Sequence, residues 1–281
     1  MSDAIQMAVL SAIAISCGLI GPFLVLKRMA MFANSLSHTI LLGIALAFLL
    51  TGSLYSISSL LIGALLAALM TAFFTGALVR VFRLQEDASI GLVFTSLFAL
   101  GIVVVTLFTR DVHLGIEAVM GNADIIQMSD LKFSLSLVGI NLAVIALFFK
   151  QFQIVSFDQN LGRTLGMRMG IFHFLLLFLI SITCIGAFRA VGVLLVLAFL
   201  VGPFLTARIF CHRLPQLLFW TPAVGVFASI FGVMISRFCV DVFELALSTG
   251  GIVATLIGLI YVVAKWISSI NLSAWKRKLP S

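Results

Sequence analysis

Asn34 and His38 are four residues apart, so on a helix they share a face. A neutral imidazole is the commonest protein ligand for transition metals, and an amide oxygen one turn away supplies a second donor on the same edge. Protonation of the imidazole competes with metal. The run Ser35, Thr39, Gly43 and Ala47 places a small residue at every fourth position beside this pair. Such a stripe lets another helix approach closely. His38 lies ten residues beyond Arg28, roughly 15 Å at the helical rise, which puts it about halfway through a bilayer. Two readings stand side by side: a ligand on a transport path, or an imidazole bonded to a carbonyl or hydroxyl within a helix interface. A single chain brings too few donors for a metal site. Two copies meeting at an axis would bring two His and two Asn.

The remaining polar residues in apolar runs carry less chemistry. Asn141 falls near the middle of a span and reads as glue between helices. His173 is close to the inner boundary, His212 is in a turn with Arg213 and Pro215, and His113 lies outside. None forms a ligand pair by spacing.

The elements that must position Asn34 and His38 are membrane helices. Of 281 residues 62% are hydrophobic and 10% charged, with a mean hydropathy of +1.26. The bilayer is the solvent for most of such a chain. Apolar runs predict spans at 4–26, 34–51, 55–79, 88–109, 131–149, 171–188, 190–207, 217–236 and 249–267. Nine is the count; eight is the alternative, since 171–207 is broken only by Arg189. The expected fold is an all-α polytopic bundle forming one membrane domain over residues 1–281.

Orientation follows from the basic residues. With the N-terminus outside, Lys27, Arg28, Arg80, Arg83, Lys150, Arg163, Arg168, Arg208, Arg213, Lys265, Lys276, Arg277 and Lys278 face the cytoplasm. These are thirteen of the seventeen Lys and Arg residues; Arg110, Lys132, Arg189 and Arg237 face out. The net charge of +7 is therefore a membrane signature. No basic stripe interleaved with aromatics lies outside the spans, which argues against a nucleic-acid partner. The first run has no basic leader and no small-residue cleavage site, so it reads as a true span. No two of the four cysteines share an oxidising compartment, so no disulfide is expected within the chain.

Three connecting segments stand out. Residues 110–130 are too polar to span and too apolar for a free loop, and are expected as short or re-entrant pieces at the outer face. Residues 150–170 contain Asp158 as a helix cap ahead of Leu161, Gly162, Leu165 and Gly166. Gly162 and Gly166, at i and i+4, are expected on one face of a short amphipathic helix, which either docks a partner or lies on lipid headgroups. At the outer mouth the candidate acids are Glu117, Asp241 and Glu244. They either attract cations or are solvated.

The chain holds no GxxxxGK[ST] phosphate loop, no HExxH and no TVGYG-like filter. No acid pair or nucleophile–base set argues for catalysis. A polytopic chain with a midplane polar pair and a cytoplasmic docking helix is most simply a transporter, energised from another chain or an ion gradient.

Four ordered stretches bear out that direction. Leu24-Val25-Leu26-Lys27-Arg28-Met29, continuing to Leu36-Ser37-His38 and Gly43, is similar to LVLRRM…DxLSHxxLxG. Ala88-Ser89-Ile90-Gly91 with Phe94 to Gly101 is similar to AIGxxFxSxxALG. Ser156-Phe157-Asp158 through Leu165-Gly166 is similar to SFDxxxAxxLG. Val191-Gly192-Val193-Leu194-Leu195-Val196 to Pro203, Thr206 and Ala207 is similar to VGxLLVxALLxxPAATA. From about Gly21 to Gly250 the chain resembles the membrane permeases of binding-protein-dependent ABC importers for zinc and manganese, some of which carry ferrous iron.

The resemblance implies that Asn34 and His38 occupy a transmembrane metal site. It implies that the segment bearing Phe157, Asp158, Gly162, Leu165 and Gly166 docks into a cytoplasmic ABC ATPase subunit. It further implies an extracytoplasmic metal-binding protein as donor and a second permease chain, identical or not. No permanently bound cofactor is implied; the divalent ion, Zn or Mn, is cargo. The chain departs from the pattern where Asn34 replaces the usual Asp, where Ala246 to Gly251 lacks the Asp and Pro of the outer DLPTGA turn, and where Phe204 and Leu205 replace small residues. A permease for a metal chelate is the alternative within the same class, and a scaffold subunit with no path of its own is the alternative outside it.

Overall fold

The computed structural model describes residues 2–51, 57–108, 123, 124, 126, 128–157, 159–243 and 248–276. Among them the secondary structure is helical. In chain order the helices are α1 (Ser2–Leu26), α2 (Ala30–Thr51), α3 (Ile57–Val81), α4 (Glu86–Phe108), α5 (Met128–Leu147), α6 (Phe149–Phe157), α7 (Gln159–Thr164), α8 (Met169–Val191), α9 (Val193–Phe210), α10 (Leu214–Phe243) and α11 (Thr249–Lys276). All but α6 and α7 are long and apolar enough to cross a bilayer, nine spans among the described residues. In hydrocarbon every backbone amide must be satisfied within its own segment, and the helix achieves this.

The eight-span alternative fails at one residue. Arg189 sits inside the last turn of α8, and the chain breaks three residues later at Gly192, with φ 86° and ψ 160°. A side chain at that φ is strained, so the glycine permits the break. The outer segment expected over 110–130 lies mostly outside the described residues; Ala123 and Asp124 form a turn.

The contacts divide the chain into two compact units. The first comprises Met1–Pro22, Ala123–Val138 and Leu194–Ser281. Its core includes Ile13, Cys17, Ile20, Val196, Phe199, Leu200 and Phe204, all buried. α1 and α9 meet at backbone distance: a Cβ on Gly21 would stand 2.3 Å from the Leu200 carbonyl oxygen. Phe204, which departs from the small-residue pattern, is fully buried here, so this packing face is filled by an aromatic ring.

The second unit comprises Phe23–Asn122 and Gly139–Val193. Phe23, Phe32, Phe152 and Phe188 are among its largest fully buried side chains. The small-residue stripe of α2 does what its spacing predicts. A Cβ on Gly43 would lie 2.2 Å from the Gly63 carbonyl oxygen of α3, and Ala47 packs against Gly63. Asn141 of α5 and Thr183 of α8, both fully buried, exchange hydrogen bonds of 2.9 and 3.1 Å. That satisfies a buried amide whose isolation in hydrocarbon would be costly.

α1 ends in a Schellman motif. The Met29 amide donates to the Leu24 carbonyl and the Arg28 amide to that of Val25, which puts Arg28 at φ 60° in the position glycine usually takes. α7 ends the same way. The Met167 amide donates to the Gly162 carbonyl and Gly166 turns at φ 72°. All four cysteines are free thiols.

Candidate metal-transfer site and the two ends of the path

Helix α2 carries Asn34 and His38 on one face, as the spacing requires. Both are exposed in the single chain, while Ser35, Leu36 and Thr39 between and beside them are buried. The imidazole of His38 lies against two rings of α4, 5.1 Å from the Phe94 centroid and 5.4 Å from that of Phe98. These rings, one turn apart, wall one side of the imidazole. Among the described residues no group of three or more His, Cys, Asp and Glu side chains converges. One chain therefore presents an imidazole and an amide side by side on an open face.

The cytoplasmic connection differs in detail from its sequence reading. It is not one short helix. α6 continues to Phe157 and the six-residue α7 follows; Asp158 lies outside the described residues. Gly162 and Gly166 do not share a helical face. Gly162 is buried, with the Met169 sulfur 2.3 Å from where its Cβ would be. Gly166 lies beyond the helix end in the left-handed turn. The glycines thus shape the segment internally. Three large apolar side chains turn outward: Phe157 is 60% exposed and Leu165 61% exposed, with Leu161 also exposed between them.

At the end of the second unit that the basic residues assign to the cytoplasm, Lys27 is buried and its Nζ lies 2.5 Å from Nδ1 of His173. A protonated ammonium has no lone pair, so Lys27 donates and His173 accepts. Burial lowers the Lys27 pKa to about 8; the charge of Glu86 acts against that shift and that of Arg80 adds to it. Spacing alone gave His173 no partner, because Lys27 is 146 residues away.

At the outer end of the first unit, of the three acids expected at the mouth, Asp241 is exposed near the end of α10, while Glu117 and Glu244 lie outside the described residues. The polar centre there is built from other residues. Arg237 bridges to Asp3 at 2.7 Å and donates to Gln6 Oε1 at 3.0 Å. The Gln6 amide donates to the Ala123 carbonyl at 2.7 Å. The Thr249 hydroxyl and amide both donate to the Asp124 carboxylate. This network ties the starts of α1 and α11 and the end of α10 to the 123–124 turn. Its members are scattered through the sequence, so no local signal could have grouped them.

The sequence profile of the ABC 3 transport family matches residues 1–268. A probable metal transport system membrane protein of Chlamydia muridarum (strain MoPn / Nigg) is 40% identical, the alignment covering 92% of this chain and 83% of that one. The manganese transport system membrane protein MntD of Bacillus subtilis (strain 168) is 35% identical over 92% of this chain and 90% of its own. The structure of PsaBC from Streptococcus pneumoniae in complex with Fab superposes with a TM-score of 0.73 at 26% identity, covering 92% of this chain and 89% of that chain. With its nine membrane spans and this likeness over nearly its whole length, the chain belongs to the ABC 3 transport family and is a multi-pass permease subunit of a bacterial metal ABC importer in the cytoplasmic membrane.

Proposed function

We propose that the permease conducts a bare divalent transition-metal ion, zinc or manganese, inward by alternating access, with His38 and Asn34 as transient ligands contributed by two permease chains. The observation that carries the reading is the open face of α2. An imidazole and an amide exposed within a membrane span are costly against hydrocarbon, so that face is covered by something polar. A second permease chain presenting the same pair would supply four neutral donors. Neutral donors suit a site that must release its cargo, since they bind a dication less tightly than carboxylates would. Imidazole and amide lean toward zinc, whereas a relative sharing 35% of residues is named for manganese.

The driving chemistry is assigned to separate ATPase subunits. The exposed apolar side chains Phe157, Leu161 and Leu165 suit a groove on such a subunit better than water. Closure of two ATPases on these segments opens the inner side, and an extracytoplasmic metal-binding protein delivers the ion to the outer side.

The test is uptake of radiolabelled metal by the reconstituted importer carrying His38→Ala, with assembly checked by copurification. Uptake is expected to fall at least about tenfold, the scale of a lost metal ligand's support, while copurification is unchanged. Uptake at the wild-type rate would remove the site assignment. Running free ions and chelates in parallel decides the cargo: transport of the chelate alone would replace the bare ion. ATPase activity across a panel of cations, with the binding protein present, ranks zinc against manganese.

A further inference from the structure

The second unit contains a polar cavity of about 640 Å³, distinct from the face bearing His38. That volume lies within the ~300–1,000 Å³ of ordinary ligand pockets. Arg80 from the last turn of α3, Arg83 from the turn that follows, Glu86 from the first turn of α4, and His173 from α8 line it, with Val155 and Met169 as apolar wall. The thirteen-to-four distribution of basic residues puts this end of the unit at the cytoplasmic surface.

Four features bear on its occupant and together select an anion with an apolar body. Among the described residues Arg80 and Arg83 make no ion pair, and the field of Glu86, the acid lining the cavity, acts on buried Lys27. Two guanidiniums thus face a cavity with one lining carboxylate, each with the forked donors that match phosphate oxygens. The tip of Arg80 lies over Gly170, where a Cβ would stand 2.3 Å from its Nη2, so the glycine makes room for it. Arg168 gives the first turn of α8 no side-chain cap. Finally, Val81 and Phe82, between the two arginines in sequence, are 72% and 67% exposed. That apolar surface suits acyl chains and offers nothing to a soluble anion.

We propose that this cavity binds the phosphate headgroup of an anionic phospholipid of the cytoplasmic leaflet, held by Arg80 and Arg83.

Native mass spectrometry of the full-length chain tests it, after titration with phosphatidylglycerol, phosphatidylcholine or inorganic phosphate. Phosphatidylglycerol is expected to be retained over phosphatidylcholine. Arg80→Gln with Arg83→Gln should cut its retention about tenfold or more, and Arg80→Lys with Arg83→Lys should restore part of it. Equal loss in a control pair, Arg213→Gln with Lys265→Gln, would mean diffuse surface charge and would overturn the site. Displacement of the lipid by inorganic phosphate at millimolar concentration would make the ligand a soluble phosphate and overturn the lipid assignment. Loss of ATPase copurification with lipid retention intact would make the arginines a protein contact instead, also overturning it. Should the double Gln variant fail to fold, Gly170→Ala keeps every charge but displaces the Arg80 tip. Weaker phosphatidylglycerol retention is expected there, and unchanged retention overturns the proposal.

Discussion

Lys27 shows how one side chain couples the protein's stability to pH. It is 8% exposed, and burial holds its pKa at about 8 against 10.5 for a free lysine. Between these values the unfolded chain binds the proton and the folded chain does not. Stability therefore rises with pH across about 8 to 10.5, and the full penalty, about 3 kcal/mol, is present below 8. Thermal unfolding in detergent should show Tm climbing from pH 7.5 to 9.5, and Lys27→Met should flatten that slope whatever its absolute Tm. A wild-type Tm that falls over the same range would contradict the burial argument. The other residue-scale expectation concerns Asn34. Asn34→Asp adds a charged donor one helical turn from His38. Apparent metal affinity should rise and turnover should fall, read from the separate concentration dependence and maximal rate of uptake.

At the scale of elements, the joints between helices make distinct expectations. The Asn141–Thr183 pair links α5 to α8, and a double-mutant cycle with Asn141→Leu and Thr183→Val should give a coupling of about 1 kcal/mol, the usual size for hydrogen bonds within a membrane bundle. Additivity of the two single changes would show that the pair contributes nothing beyond packing. Gly166→Ala forces a Cβ into a left-handed turn and should destabilise the α7 end by about 1 kcal/mol. Arg28→Gly relieves the same strain at the end of α1 and should stabilise by a similar amount. Much of this scale was legible from sequence. The stripe through Gly43 foretold the close approach of α2 to a neighbour, because small-residue spacing is a local property of one helix. The role of Gly166 was not legible. Its four-residue spacing from Gly162 presumed a helix that the structure ends at Thr164, and a single glycine signals a helix face and a helix stop alike.

At the scale of the whole molecule, the proposed function rests on partner subunits for its energy and on a second chain for further ligands. Replacing Phe157 and Leu165 by Asp should abolish ATPase copurification and leave the helical content intact, since both side chains face outward. Retained copurification would move the docking surface elsewhere. The sequence by itself determined the solvent, the order of the spans and the shared face of Asn34 and His38, while the choice of nine spans over eight needed the break at Gly192. Each of the first three follows from composition or from spacing within one helix, which hydropathy and helical period encode locally. The tertiary structure alone decided that this face is open, that Phe94 and Phe98 wall the imidazole, that Lys27 meets His173, and that Asp3, Gln6, Asp124, Arg237 and Thr249 form one network. Hydropathy carries no information on which way a span turns its faces, and contacts between distant residues exist only once the helices have packed.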